Sequence, residues 1–370
     1  MYKQRIILFF SIVLSSYALL FILTSIFSIT YPLYIPNAAY WLKEGFSIKE
    51  HRAKTIDTQK IFLVSGSNTL FSICTPLLEE KTNQKIVNFG LNAYTPIEIY
   101  FAEIKKYAKP GDIVIMPLEY NFYTNEKILE DWVIRILLTW GSEFIKEFSV
   151  KQILEILFKS LPYLPERIIN HDIKFPGRSY EEYMQSLNSK NPLAILRRAD
   201  GGNAYNSFGD KIIDNESKLK LDFSNRYFYL TDLKDFRFQQ LKDFADFLAK
   251  QNIKLLLTYP VTIQNPEFDL TQKEHADRLQ KLTDKIKEHG LDIIGIPKLS
   301  NFELIFSYDS IYHLNAEGAM LRTLYVADTI NCYLANKTQE IPDMEEYKKQ
   351  RKAEAKKMLE KYRKLGYYPE

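Results

Sequence analysis

Cysteine is scarce in this sequence, with two among 370 residues. Cys74 and Cys332 are too few for a disulfide framework or a zinc site. Glycine (13) and proline (15) are also sparse, which excludes collagen-like and linker-rich chains. The five histidines do not cluster at metal-ligand spacing. There is little excess charge. The net charge is +3, and Asp343–Glu370 alone carries nine Lys/Arg against six Asp/Glu. The rest is balanced, so nothing electrostatic argues for nucleic acid. Neither a Gly-x-Gly-x-x-Gly motif nor a P-loop occurs, and no cofactor or metal is expected.

Apolar residues are plentiful: 46% of the chain is hydrophobic and 14% aromatic. That is enough for a buried core. One apolar run is long. Ile6–Ile29 is 24 residues without a charge, and about 20 suffice to cross a bilayer core. A secretory signal would have an apolar region of about 7–15 residues and a small-x-small cleavage site. The run is therefore expected to be an uncleaved anchor in the lipid bilayer. Lys3 and Arg5 precede it, which puts the N-terminus in the cytoplasm and the main domain outside. Residues 1–34 are read as tip and anchor, and 35–59 as a stalk.

From Lys60 the pattern becomes regular. Lys60–Val64, Ile86–Phe89 and Ile113–Met116 are short apolar runs suited to buried strands. Leu70, Phe71, Cys74, Leu77 and Leu78 recur at helical spacing after the first run, and a second helix follows Pro96. Strand–helix alternation of this kind predicts an α/β fold with a parallel sheet. It is interrupted by an insert over 122–231, helical from Ile128 to Leu161 and loop-like after that. The alternation resumes with a helix near 232–250, strands at Ile253–Leu257 and Leu291–Ile294, a helix near 271–288 and a last helix over 316–331. The charged tail over 336–370 is expected to be a solvated helix. Cys74 lies on an apolar helix face, as a core thiol does; pairing with Cys332 is left open.

Ser67 stands where the first strand meets the first helix, in Val64-Ser-Gly-Ser-Asn68. In open parallel sheets this edge holds the active crevice. A serine there is expected to be exposed, and the N–H groups of the incoming helix can stabilise an oxyanion. Helix capping by Ser67 or Asn68 is the plainer alternative. A nucleophilic serine needs a base. His51 falls in the stalk, His171 in the insert, and His275 and His289 on or after a polar helix, where solvation is expected. His313 lies in Tyr308-Asp-Ser-Ile-Tyr-His-Leu-Asn315, just before a helix, with Asp309 close enough to orient it.

These residues together carry a resemblance. Gly66-Ser67, Gly90 and Asn92 after the second strand, and Asp309…His313 resemble the SGNH/GDSL hydrolases. More narrowly, the anchor, Pro117-Leu-Glu-Tyr120 and the run from Asp309 to Gly318 are similar to membrane-anchored SGNH proteins of polysaccharide O-acetylation and teichoic-acid D-alanylation. The resemblance implies a three-layer α/β/α domain over 60–335. It implies Ser67 as nucleophile, His313 as base, Asp309 as its acid and Gly90 as an oxyanion donor. Three departures stand out. Ser65-Gly66-Ser67 replaces Gly-Asp-Ser. The acid usually precedes histidine by three residues, where Ser310 stands. The Gly-x-Asn-Asp block has no clean match, and Asn121 is its positional counterpart for the oxyanion hole. Asn68, Asn92 and Glu119 are candidate substrate contacts, with a structural anion as the alternative for Glu119.

The expected activity is acyl transfer to, or removal from, a cell-surface polysaccharide, with a membrane-bound O-acyltransferase as the partner supplying the acyl group. The alternative is an inactive scaffold that binds or assembles glycan.

Overall fold

The computed structural model describes residues 2–93, 95–124, 129–173, 181, 205–211, 213 and 230–368. The chain divides into two compact units. One comprises Met1–Lys43, Pro96–Ala102 and Lys127–Gly177, and the other Glu44–Thr95, Glu103–Glu126 and Arg178–Glu370.

In the first unit, helix α1 (Tyr2–Thr30) contains a segment, Tyr2–Thr24, that is long and apolar enough to cross a membrane. None of its most apolar window is buried in the protein. The expected helical half of the insert is present as Asp131–Leu137, Val150–Ser160 and Leu164–Ile169. The loops expected at Pro176-Gly177 and Asp200–Gly202 lie outside the described residues.

The segment 35–59, expected as a stalk, is largely helical. Its centre is helix α2 (Tyr40–Thr55), and Leu42, Phe46 and Ala53 along it are buried.

The second unit is mixed α/β around a four-stranded parallel sheet: β1 (Lys60–Ser65), β2 (Lys85–Gly90), β3 (Ile113–Met116) and β4 (Lys254–Leu257), in the order β2-β1-β3-β4. Ser65 pairs with Gly90, and Ile115 lies between Leu63 and Leu256. Alternate side chains Ile61, Leu63, Ile113, Ile115 and Leu256 pack with Leu78, Ala327 and Ile330. On the other face Phe62 stacks on Phe89, which in turn meets Phe46 and Tyr107. Both faces are buried, so the strands read as continuous apolar runs. The fifth expected strand contracts to one parallel bridge, Leu257 to Ile293.

The first expected helix is two: α3 (Ser67–Ser72) and α4 (Thr75–Thr82). Pro76 lacks an N–H and would clash with the Ser72 carbonyl in a continuous helix, so Ile73 and Cys74 are extended. Cys74 is buried, and it and Cys332 are free thiols. Gly290, with φ +68°, ends the helix Lys273–Glu288 as expected.

The charged tail forms the helix Met344–Lys364, but it is not simply solvated. Ala355, Leu359, Tyr362 and Tyr368 are buried in one cluster with Cys74, Leu77 and Tyr325.

Candidate active site

The order β2-β1-β3 contains a change of direction. The chain leaves β1 for β2 on one side and returns to β3 on the other, and crevices form outside the carboxyl ends at such points. Here the segments after β1 and β3 meet. Ser65 Oγ is 2.6 Å from Pro117 O and 3.0 Å from Glu119 Oε2. The Glu119 carboxylate is buried. It accepts the Gly66 N–H at 3.2 Å and the Asn68 N–H at 3.1 Å. Gly66 is needed for that approach: a Cβ there would lie 2.4 Å from Glu119 Oε1. Asn68 Nδ2 reaches Ser65 Oγ at 2.6 Å and Pro117 O at 3.0 Å.

Glu119 and Asn68 thus brace the turn that carries Ser67. Ser67 does not cap α3: the cap position is Gly66, with no side-chain cap bond. Of the three successive N–H groups at 66–68, only that of Ser67 has no acceptor among the described residues.

Ser67 was expected to be exposed; it is 2% exposed. The segment before the helix Ala316–Leu334 folds against α3, at Phe71 and Ser72. The His313 ring stacks on Phe71, with centroids 4.0 Å apart and planes 7° apart, and Leu314 N donates to Ser72 Oγ at 3.4 Å. Phe71 is four residues after Ser67, on the same face of α3.

His313 is held by its own loop. Tyr308 N donates to His313 O at 3.0 Å, and His313 N donates to Ser310 O at 3.2 Å. This closed turn sets residues four apart side by side. Asp309 Oδ1 lies 2.6 Å from His313 Nδ1, so the unusual spacing still delivers a carboxylate to the ring. A carboxylate at Nδ1 favours the tautomer protonated there, leaving Nε2 as the basic nitrogen. Nε2 is buried and has no hydrogen-bond partner among the described residues. The Ser67–His313 hydrogen bond is therefore not formed.

The remaining candidates divide. Gly90 N donates to Asn88 Oδ1 at 2.8 Å, so that N–H points to Asn88 and not to an oxyanion. Gly90 serves packing instead: a Cβ would lie 2.3 Å from Leu70 N. Asn121 begins the short helix Asn121–Thr124 and is half-buried. Asn92, also half-buried, uses its carbonyl to receive Thr95 N and Oγ1. Against expectation, His275 is buried, and its Nδ1 accepts the Asp269 N–H at 2.9 Å. No group of three His, Cys, Asp or Glu among the described residues could hold a metal.

Two residues gain importance only in three dimensions. Phe71 has no sequence signal beyond helical spacing. Lys49, within the supposed stalk, is buried and donates to Gly90 O at 2.7 Å. Burial lowers its ammonium to about 7, against the opposing field of Asp210. Asp210 is itself held by Thr75, Asn88 and Asn206. The signal for Glu119 was Gly66, a residue with no side chain where a carboxylate had to approach.

No protein-family model, curated protein or solved structure matches this chain.

Proposed function

We propose that the chain is a membrane-anchored, extracytoplasmic acyl enzyme with an SGNH-type three-layer α/β/α domain. Ser67 Oγ attacks an acyl carbonyl and passes its proton to His313 Nε2. Asp309 holds the imidazole and stabilises its charged form. The Ser67 N–H is the first donor to the tetrahedral oxyanion, with Asn121 at the next segment. The intermediate collapses as His313 returns the proton to the leaving group. A sugar hydroxyl of a surface polysaccharide, or water, then takes the acyl group. A membrane-bound O-acyltransferase supplies that group across the bilayer, which residues 6–29 span with the N-terminus in the cytoplasm.

The observation that carries this reading is the imidazole of His313. A carboxylate lies at Nδ1, Nε2 is buried and unpartnered among the described residues, and the ring is stacked one helical turn from Ser67. Loose nucleophile–base geometry is common before substrate binds. The test is covalent labelling of the full-length protein by a fluorophosphonate. Wild type labels, Ser67→Ala does not, and His313→Ala labels only weakly. Equal labelling of wild type and Ser67→Ala overturns the assignment of the nucleophile.

A second reading, a scaffold without turnover, is favoured by one feature. The carboxylate of Glu119 already holds the Gly66 and Asn68 N–H groups, and Asn88 holds that of Gly90. If wild type does not label and Ser67→Ala leaves surface-glycan acylation in cells unchanged, the scaffold reading replaces the enzyme.

A further inference from the structure

The helix Val150–Ser160 carries an exposed apolar stripe that is out of place for a protein in water. Ser149 and Gln152 form a reciprocal capping box that starts it firmly. Gln152, Ile156 and Ser160 are buried on its inner side, and Gln152 Nε2 donates to Glu98 at 2.9 Å. The outer stripe is Val150, Leu154 and Phe158, at i, i+4 and i+8, all exposed. Ile153 and Leu157 are half-buried and Lys151 and Lys159 are exposed beside the outer stripe, so the helix is apolar on its outer side as well as its inner one, where an ordinary surface helix is polar. Ile168, Ile169 and Ile173 extend the exposed apolar surface; Val150 is 76% exposed and Ile169 75%. Contiguous apolar surface of this kind marks an interaction site.

The same unit says what covers it. Phe158 stacks against Phe21 of α1, with ring centroids 4.9 Å apart. The stripe thus continues the apolar surface of the helix that is long enough to span a membrane.

We infer that Val150–Ile173 is a monotopic membrane-docking surface, lying in the outer interface of the bilayer that α1 crosses. Interfacial helices sink their apolar faces about 5–10 Å into the headgroup and acyl boundary. Val150, Leu154, Phe158 and the three isoleucines enter the lipid, while Gln152, Ile156 and Ser160 keep the helix on its own unit. The inference rests on the reading of α1 as a membrane anchor. It adds a second attachment, which fixes the orientation of this unit on the membrane as one helix alone could not.

The experiment uses the full chain in phosphatidylcholine–phosphatidylglycerol vesicles, with Cys332→Ser as background. Spin labels are placed singly at Val150→Cys, Phe158→Cys and Ile169→Cys. Leu14→Cys is the lipid reference and Lys281→Cys the aqueous one. Collision with oxygen is compared with collision with a water-soluble nickel chelate. The expected result is an oxygen-to-nickel ratio at the three test positions raised several-fold over Lys281 and close to Leu14. Test positions that behave like Lys281 while Leu14 remains in lipid overturn the docking surface alone. Test positions shielded from both reagents overturn it in favour of a protein neighbour. If Leu14 itself behaves as aqueous, the anchor reading and the docking surface fall together.

Discussion

Phe71 and His313 lie face to face, their planes nearly parallel, at 4.0 Å between ring centroids. The loop that carries the imidazole is thereby set against the helix that begins with Ser67. Phe71→Leu keeps an apolar side chain on α3 but removes the flat wall, and the ring gains freedom to tilt. An error of about 1 Å in a catalytic group can cost on the order of 100-fold. The expected outcome is a 10- to 100-fold slower fluorophosphonate labelling rate, with thermal unfolding little changed. Phe71→Tyr retains the ring and should restore the rate. An unchanged rate in Phe71→Leu would show that the stack does not position the base.

Asp309 is predicted to act as the third member of a triad in spite of its spacing. In a buried triad, loss of the acid costs about 10⁴-fold in turnover. Asp309 is partly open to solvent, its side chain 43% exposed, so its field on the ring is partly screened. Asp309→Asn should lower turnover of a small acetyl ester by between about 10²- and 10⁴-fold. A loss within tenfold would mean that Ser67 and His313 act as a dyad.

Glu119 is predicted to be a positioning residue. Its carboxylate receives N–H groups on both sides of Ser67. Glu119→Gln turns one acceptor oxygen into a donor aimed at donors, which should cost about 2 kcal/mol in denaturant unfolding and slow labelling of Ser67. Gly66→Ala drives a methyl group into the same carboxylate. The two changes share one contact, so their effects should be non-additive by about 0.5–3 kcal/mol. Simple additivity would dissociate the glycine from the carboxylate.

Lys49 gives the unit a pH dependence of definite sign. Burial lowers its folded-state value to about 7, whereas in the unfolded chain a lysine titrates near 10.4. Between these values the unfolded chain binds the extra proton, so stability rises with pH. Below about 7 the cost of burying the charged ammonium is present in full. Lys49→Met removes that dependence, together with a pH-independent hydrogen bond to Gly90 O. Unfolding followed from pH 7 to 10 should show wild type gaining on the variant, by at most about 5 kcal/mol. Parallel curves would show that Lys49 does not titrate in this window.

The parts of the fold that were legible are those where burial on both faces leaves an uninterrupted apolar run. β1, β2 and β3 announce themselves in this way, as does β4 from Ile253. The Leu291–Ile294 run has the same appearance, but its pairing stops after one bridge. Helix α2 was hidden because Glu44 and Lys49 stand among its inward positions and break the apolar stripe. The tail was hidden by its charge. Ala355, Leu359 and Tyr362 recur at helical spacing and are buried, but they are outnumbered by lysines and acids around them. At the candidate site, the closeness of Asp309 to the His313 ring was legible from their places along the chain. Glu119 was legible as a candidate residue, but its bracing of Gly66 and Asn68 was not, nor was the stack of Phe71 on His313, because a stacking wall and a braced turn have no composition of their own.

The contact between Ser72 and Leu314 joins residues 242 apart in the chain. Ser67 and His313 are made at very different moments. At about 5–20 residues per second of synthesis, roughly ten seconds to a minute separate them. Throughout that interval the helix that begins with Ser67 lacks the loop that packs on it through Phe71 and Ser72. On the proposed mechanism, acylation would have to wait for the synthesis of that loop, and a truncated product ending before His313 would carry the serine as an inert alcohol.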